Sequence, residues 1–346
     1  MIRMSDMVKQ RNSQVELFRC LLMVGICVLH CANANHVTWL AWMLCPCVVG
    51  FVFISGWFGV KFSLSKIVYL YGVQLYCVVV VRIVSHHVLN EPLTLSSIMY
   101  GMTQFWFVHA YVLMILLSPL VNVVVAQQDK HVVLQCLLPF WLAIFGWGFV
   151  SHSHIVKGLV PTTDGLGVFS GLTLLGIYSV GRVCNLWHLL DCVGYRKCLF
   201  GVMVAFPLMI LHLGVYNSPL AVILMAMFFY IVARTKSRYS RIVLFLSPSI
   251  FSVYIIHTTR LGSVLSERLV SALGGGVPAV MISGIAIFIA AILFDMPRRY
   301  ICHLLAYGKF LNRIDNIFDL FLRWLHERIC RGVLNRGCCN TDEFIS

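Results

Sequence analysis

The chain has 346 residues, 60% of them hydrophobic and 11% charged, with a formal net charge of +13. A mean hydropathy of +0.88 excludes an ordinary soluble globular domain. The basic residues stand in short clusters between apolar runs, so they report membrane topology and not nucleic-acid binding.

Hydropathy predicts about ten transmembrane helices, at 16–35, 39–59, 67–85, 104–125, 132–150, 166–182, 198–214, 216–233, 243–260 and 277–294. No small-residue cleavage site follows the first, which makes it a retained signal anchor. The seventh and eighth are parted only by Val215, near Asn217 and Pro219, and predict a tight hairpin. With a cytoplasmic N-terminus, all but Arg82, Lys157, Arg260 and Arg268 of the 26 lysines and arginines fall on or beside inside segments. Both termini are therefore expected in the cytoplasm. Between Phe310 and Ile329 apolar residues recur every three and four, the pattern of an amphipathic helix lying on the cytoplasmic leaflet. The sequence thus predicts an all-α polytopic protein, with a transmembrane domain over 1–295 and a basic cytoplasmic tail over 296–346. The cysteines lack zinc or haem spacing and read as apolar packing residues or reduced thiols, so no metal is expected.

The first apolar stretch, Glu16 to Asn35, carries Arg19 near its start and His30 well inside. Eleven helical residues make three turns plus 20°, so the two side chains share one face, about 16 Å apart along the axis. Ionisable groups inside a membrane are costly and call for a function. With the N-terminus inside, Arg19 falls at the cytoplasmic mouth and His30 beyond the midplane. An anionic cytoplasmic cofactor meeting Arg19 could extend to His30, whose pKa suits removal of a proton from a hydroxyl as it attacks an acyl carbon. Glu16 pairs with Arg19 across one turn, while Asn33 and Asn35 stand one turn further out, placed to orient the imidazole or a substrate.

These residues resemble the acyltransferase family 3 membrane proteins, which acylate bacterial surface glycans. The family shows an acidic residue three before an Arg, then ten residues and a His, as do Glu16, Arg19 and His30. GFVFISGWF (Gly50 to Phe58) is similar to its apolar run ending in Ser-Gly. WFVHAYVLMILLSPLVN (Trp106 to Asn122) resembles its Trp-Phe, Tyr and Ser-Pro-Leu pattern, and FSVYIIH (Phe251 to His257) its Phe-x-x-Tyr-x-x-His segment. The resemblance implies acetyl-CoA or another acyl-CoA as cytoplasmic donor, His30 as catalytic histidine and Arg19 as a donor-handling residue. It implies transfer to a hydroxyl of a glycan, free or lipid-linked, at the outer face of the inner membrane, with a separate periplasmic or glycan-assembly protein as a further partner. The family has two arginines three apart after the second span. Here Lys66 and Tyr69 stand there, and Lys66 keeps the charge a CoA phosphate needs without the fork of an arginine.

Other positions have plainer readings. Ser55 and Gly56 fit a close helix contact. Trp106 and Tyr111 are either an interfacial anchor and a packed aromatic or substrate-stacking residues, and His257 is either a structural hydrogen-bonding group or a substrate contact. His109 reads as packed, and His86, His87, His152 and His154 as solvated loop residues. Lys157 and Asp164 share an outer loop where a sugar could dock. The rival from another class is a transporter or flippase for lipid-linked sugars, in which Arg19 and His30 line the pathway.

Overall fold

The computed structural model describes residues 13–127, 129–146, 171–208, 219–234, 240–305 and 307–334, with side chains to residue 325. His152, His154, Lys157, Asp164 and the turn expected around Val215 and Asn217 lie outside the described residues. Among those described, all regular structure is helical. In chain order the helices are α1 (Ser13–Ala34), α2 (Thr38–Leu44), α3 (Pro46–Phe58), α4 (Leu64–Leu89), α5 (Leu95–Thr103), α6 (Trp106–Val125), α7 (Lys130–Trp141), α8 (Gly171–Leu186), α9 (Leu189–Val193), α10 (Tyr195–Leu208), α11 (Pro219–Arg234), α12 (Arg241–Leu246), α13 (Ile250–His257), α14 (Arg260–Ala272), α15 (Gly276–Leu304) and α16 (Tyr307–Leu334).

Among the described residues, five helical segments are long and apolar enough to cross a membrane: α1, α2 with α3, α4, α6 and α15. A sixth appears if the bent pair over 241–272 counts as one span. The other four apolar stretches fall on α7, α8, α10 and α11; α8, α10 and α11 run up to residues outside the described set, as does the π-helical turn Leu142–Gly146 that continues α7. The boundary expected at 295 falls inside α15, which continues to Leu304.

α1 is the hub. At 22 residues and 1.5 Å per residue it matches a hydrocarbon core of about 30 Å. Its side chains enter three cores. Phe18 and Leu22 pack with residues of α3, α6, α8 and α11. Met23, Ile26 and Cys27 pack with α4, α13 and α15, and Val28, Leu29 and Ala32 with α2, α14 and α15. The close helix contact expected at Ser55 and Gly56 is made by Gly56: a Cβ there would sit 2.0 Å from Tyr178 O, and one at Gly181 would sit 2.4 Å from Phe53 O. Backbones of α3 and α8 therefore touch, which only small residues permit.

The Ser-Pro-Leu segment of α6 fixes the turn that follows α3. Ser118 Oγ and Asn122 Nδ2 both donate to Val60 O, at 3.1 and 3.0 Å, and Tyr178 OH donates to Asn122 Oδ1 at 2.8 Å. The ninth stretch, expected to be continuous, is instead broken. A 3-10 turn at Ser247–Ser249 separates α12 from α13, and the chain then bends by 88° into α14. Thr259 caps α14 by accepting from Gly262 N at 3.4 Å. Any Cβ at Gly262 would lie 2.3 Å from His257 O, so the sharp bend requires glycine there.

A buried ion pair joins α15 to α13 and α4. Asp295, fully buried, accepts from Arg298 Nε at 2.6 Å and Nη2 at 2.9 Å, and from Ser252 Oγ at 2.6 Å. Arg298 Nη1 also donates to Tyr69 OH at 3.3 Å.

The helix expected over 310–329 is α16. Asp315 ties it to the start of α4, accepting from Ser65 N at 3.0 Å, Ser65 Oγ at 2.6 Å and Ser63 Oγ at 3.1 Å. The positive end of α4 favours a carboxylate in that place, and the Ser65 hydroxyl, followed by the Ser65 amide and Ser63, holds the Asp315 pKa below its ordinary value. A depressed carboxylate pKa contributes docking stability that is fully present above the ordinary value and lost as pH falls through the folded one. Amide exchange in α16 should therefore rise below about pH 4. Asp315→Asn should show raised exchange already at neutral pH and no acid step. Unchanged exchange in that variant would show that the contact does not hold the helix.

Candidate functional site

α1 lays Glu16, Arg19, Met23, Ile26, His30 and Asn33 along one wall of a cavity of about 720 Å³. Their spacing of three and four is that of a single helix face. Val48, Phe51 and Ser55 of α3 face this stripe, together with Tyr69 of α4, Trp106, Phe107 and Tyr111 of α6, and Tyr254 of α13. The volume lies in the range of small-molecule sites, about 300–1,000 Å³. Gln104, Ser247, Pro248 and Thr258 line it as well.

Arg19 is half-buried and its Nη1 donates to Oε1 of buried Glu16 at 2.9 Å. That contact uses one of the five N–H donors of the guanidinium. His30 is exposed, and the surface it shows is the cavity's. Asn33 is likewise exposed, whereas Asn35 is turned aside and donates from Nδ2 to Cys31 O at 2.8 Å and Ser266 Oγ at 3.2 Å. The aromatic wall is ordered by ring contacts. Phe107 and Tyr111 stack with centroids 5.7 Å apart, and Tyr254 lies 5.2 Å from Phe107. Ser55 Oγ donates to Phe51 O at 3.0 Å and so accepts from Tyr111 OH, also at 3.0 Å.

Arg19, His30, Asn33, Trp106 and Tyr111 thus come together on one cavity. Two other residues singled out from the sequence do not line it. Lys66 is exposed at the start of α4, its Nζ donating to Lys61 O at 3.1 Å, and the residue on the wall is Tyr69, one turn further on. His257 is buried behind His30, with ring centroids 4.9 Å apart. His109, expected to be packed, is instead exposed, with its ring nitrogens 3.2 Å from Tyr71 OH and 3.1 Å from Met102 O. Among the described residues no three His, Cys, Asp or Glu side chains are grouped to hold a metal ion.

No sequence pattern marked a second cavity of about 490 Å³, which shares Gln104, Phe105 and Thr258 with the first. Its walls include Tyr100, Arg82, Glu91 and Arg260. The two arginines, both among the four basic residues expected outside, grip the same carboxylate: Arg82 Nη1 lies 3.2 Å from Glu91 Oε2 and Arg260 Nη1 lies 3.2 Å from Oε1. Asn90, in the left-handed region at φ 55°, turns the chain at the end of α4. Glu91 can then fold back over Arg82.

The arrangement offers a cation at one end of a largely aromatic cavity, an imidazole further along, and a second, polar cavity beyond. No protein-family model, curated protein or solved structure matches the chain.

Proposed function

We propose that this protein is an O-acyltransferase of the bacterial inner membrane, with ten spans and cytoplasmic termini, transferring an acetyl or other acyl group from cytoplasmic acyl-CoA to a glycan hydroxyl. The observation that carries the proposal is the single cavity wall formed by Arg19 and His30, with the predicted cytoplasmic end at Arg19. The arginine meets the anionic part of the donor, and the stacked Phe107 and Tyr111 flank the apolar path toward His30. The glycan approaches through the polar cavity beyond Gln104 and Thr258.

His30 accepts the proton of the acceptor hydroxyl as that oxygen attacks the thioester carbonyl. The carbon–sulfur bond breaks and the imidazolium returns the proton to the departing thiolate, so an ester and a free thiol form. The same histidine could instead accept the acyl group transiently as a nucleophile. Neither route requires a metal. The apolar face of α16, with Phe310, Ile317, Phe321 and Trp324 exposed, suits the cytoplasmic leaflet.

Purified protein given acetyl-CoA and a glycan acceptor should release free CoA only when the acceptor is present. Arg19→Gln should raise the KM for the donor about tenfold to a hundredfold, the loss of a charge-assisted hydrogen bond, with a smaller change in kcat.

The 88° break between α13 and α14 favours a second reading, because broken helices beside a central site are a transporter feature. A transporter of lipid-linked sugars would leave the thioester intact in that assay while moving the glycan across vesicles.

A further inference from the structure

His30 and His257 meet edge to face, with ring planes at 66°, and together they line a void of about 10 Å³ whose wall also holds Ser263 and Ser266. His257 is 4% exposed and its Nδ1 lies 2.7 Å from Val253 O. A carbonyl only accepts, so Nδ1 carries the proton. No carboxylate lines the void, and a buried imidazole without one is neutral. Nε2 is therefore a lone pair. It is buried, and no group among the described residues lies within hydrogen-bonding reach of it. Buried acceptors are almost always satisfied, and a polar void of this size has the room that one water needs, about 10–15 Å³.

We propose that a single water occupies this void, donating to His257 Nε2 and accepting an N–H from His30. His257 is then a positioning residue: anchored on Val253, it fixes which nitrogen of His30 carries the proton. The other nitrogen stays a lone pair for the large cavity, which His30 also lines. That lone pair is what a general base needs, so the catalytic consequence rests on the acyltransferase reading. The tautomer itself does not.

Two variants separate the possibilities. Glutamine at 257 can present a carbonyl oxygen near the place of Nε2, whereas leucine cannot accept at all. Nitrogen-15 spectra of histidine-labelled full-length protein in nanodiscs, with His30 signals identified by their loss in His30→Gln, should show one neutral His30 tautomer in wild type and His257→Gln. They should show two in His257→Leu. In turnover, His257→Leu should lower kcat about tenfold to a hundredfold with the donor KM unchanged, and His257→Gln should recover part of it. Identical His30 signals in wild type and His257→Leu would overturn the proposal. So would two tautomers in the wild type, a measurement that stands if the leucine variant fails to fold. If no variant turns over but the tautomer pattern is as described, the positioning role stands and the acyltransferase reading falls.

Discussion

Replacing His30 by glutamine should lower acyl transfer about 10²- to 10⁴-fold, the contribution of a positioned general base, while leaving the protein folded. The ring lines the open cavity and meets His257 behind it, so glutamine, which keeps a hydrogen-bonding group there, should change stability by no more than about 1 kcal/mol. Glutamine keeps much of the shape and the hydrogen-bonding capacity but cannot take up a proton at neutral pH. The pairing of lost turnover with an unchanged thermal midpoint in detergent is therefore the informative result. Equal turnover by the variant would reduce His30 to a packing residue.

The largest effect on stability is expected at Asp295. Its carboxylate faces the guanidinium of Arg298, and the two side chains are 0% and 6% exposed. Asp295→Ala leaves a buried cation without its partner, which costs about 3–5 kcal/mol, and removes the acceptor of Ser252 as well. The damage should reach the site, because Tyr69 both accepts from Arg298 and lines the cavity. Thermal unfolding and expression level should fall together for Asp295→Ala. The double variant Asp295→Leu with Arg298→Met should recover most of the loss, since an apolar pair of similar volume is often as stable as a buried ion pair. A single variant as stable as wild type would mean that water reaches Arg298 and that the pair is not the clamp described here.

The residues along α1 show how far a sequence can be read. The eleven-residue step put Arg19 and His30 on one face because helical period alone determines it, and Met23, Ile26 and Asn33 fall on the same stripe. Gly56 was legible as a close contact because the smallest side chain in an apolar helix has few other uses. Lys66 shows the limit. Charge pattern marks the start of α4 as basic, yet one turn decides which side chain faces the cavity, and it is Tyr69. The bend after His257 was hidden because FSVYIIH reads as an uninterrupted apolar run. Thr259 and Gly262, which cap the next helix and admit the close backbone approach, are weak signals before the partner carbonyl is known. Asp295 and Arg298 looked like the edge of a basic tail, because their burial depends on Ser252 and Tyr69 arriving from distant helices. The pairing of His30 with His257 is of the same kind, made by residues far apart in sequence whose geometry no local period encodes.

Proton NMR of surface glycan from cells producing either the wild-type chain or His30→Ala, at matched membrane levels, tests the central claim most directly. O-acyl signals present with the wild type and absent with the variant are the predicted result. Equal O-acyl signals from both would contradict the role of His30, and acylation independent of either chain, with altered glycan export, would contradict the enzyme itself.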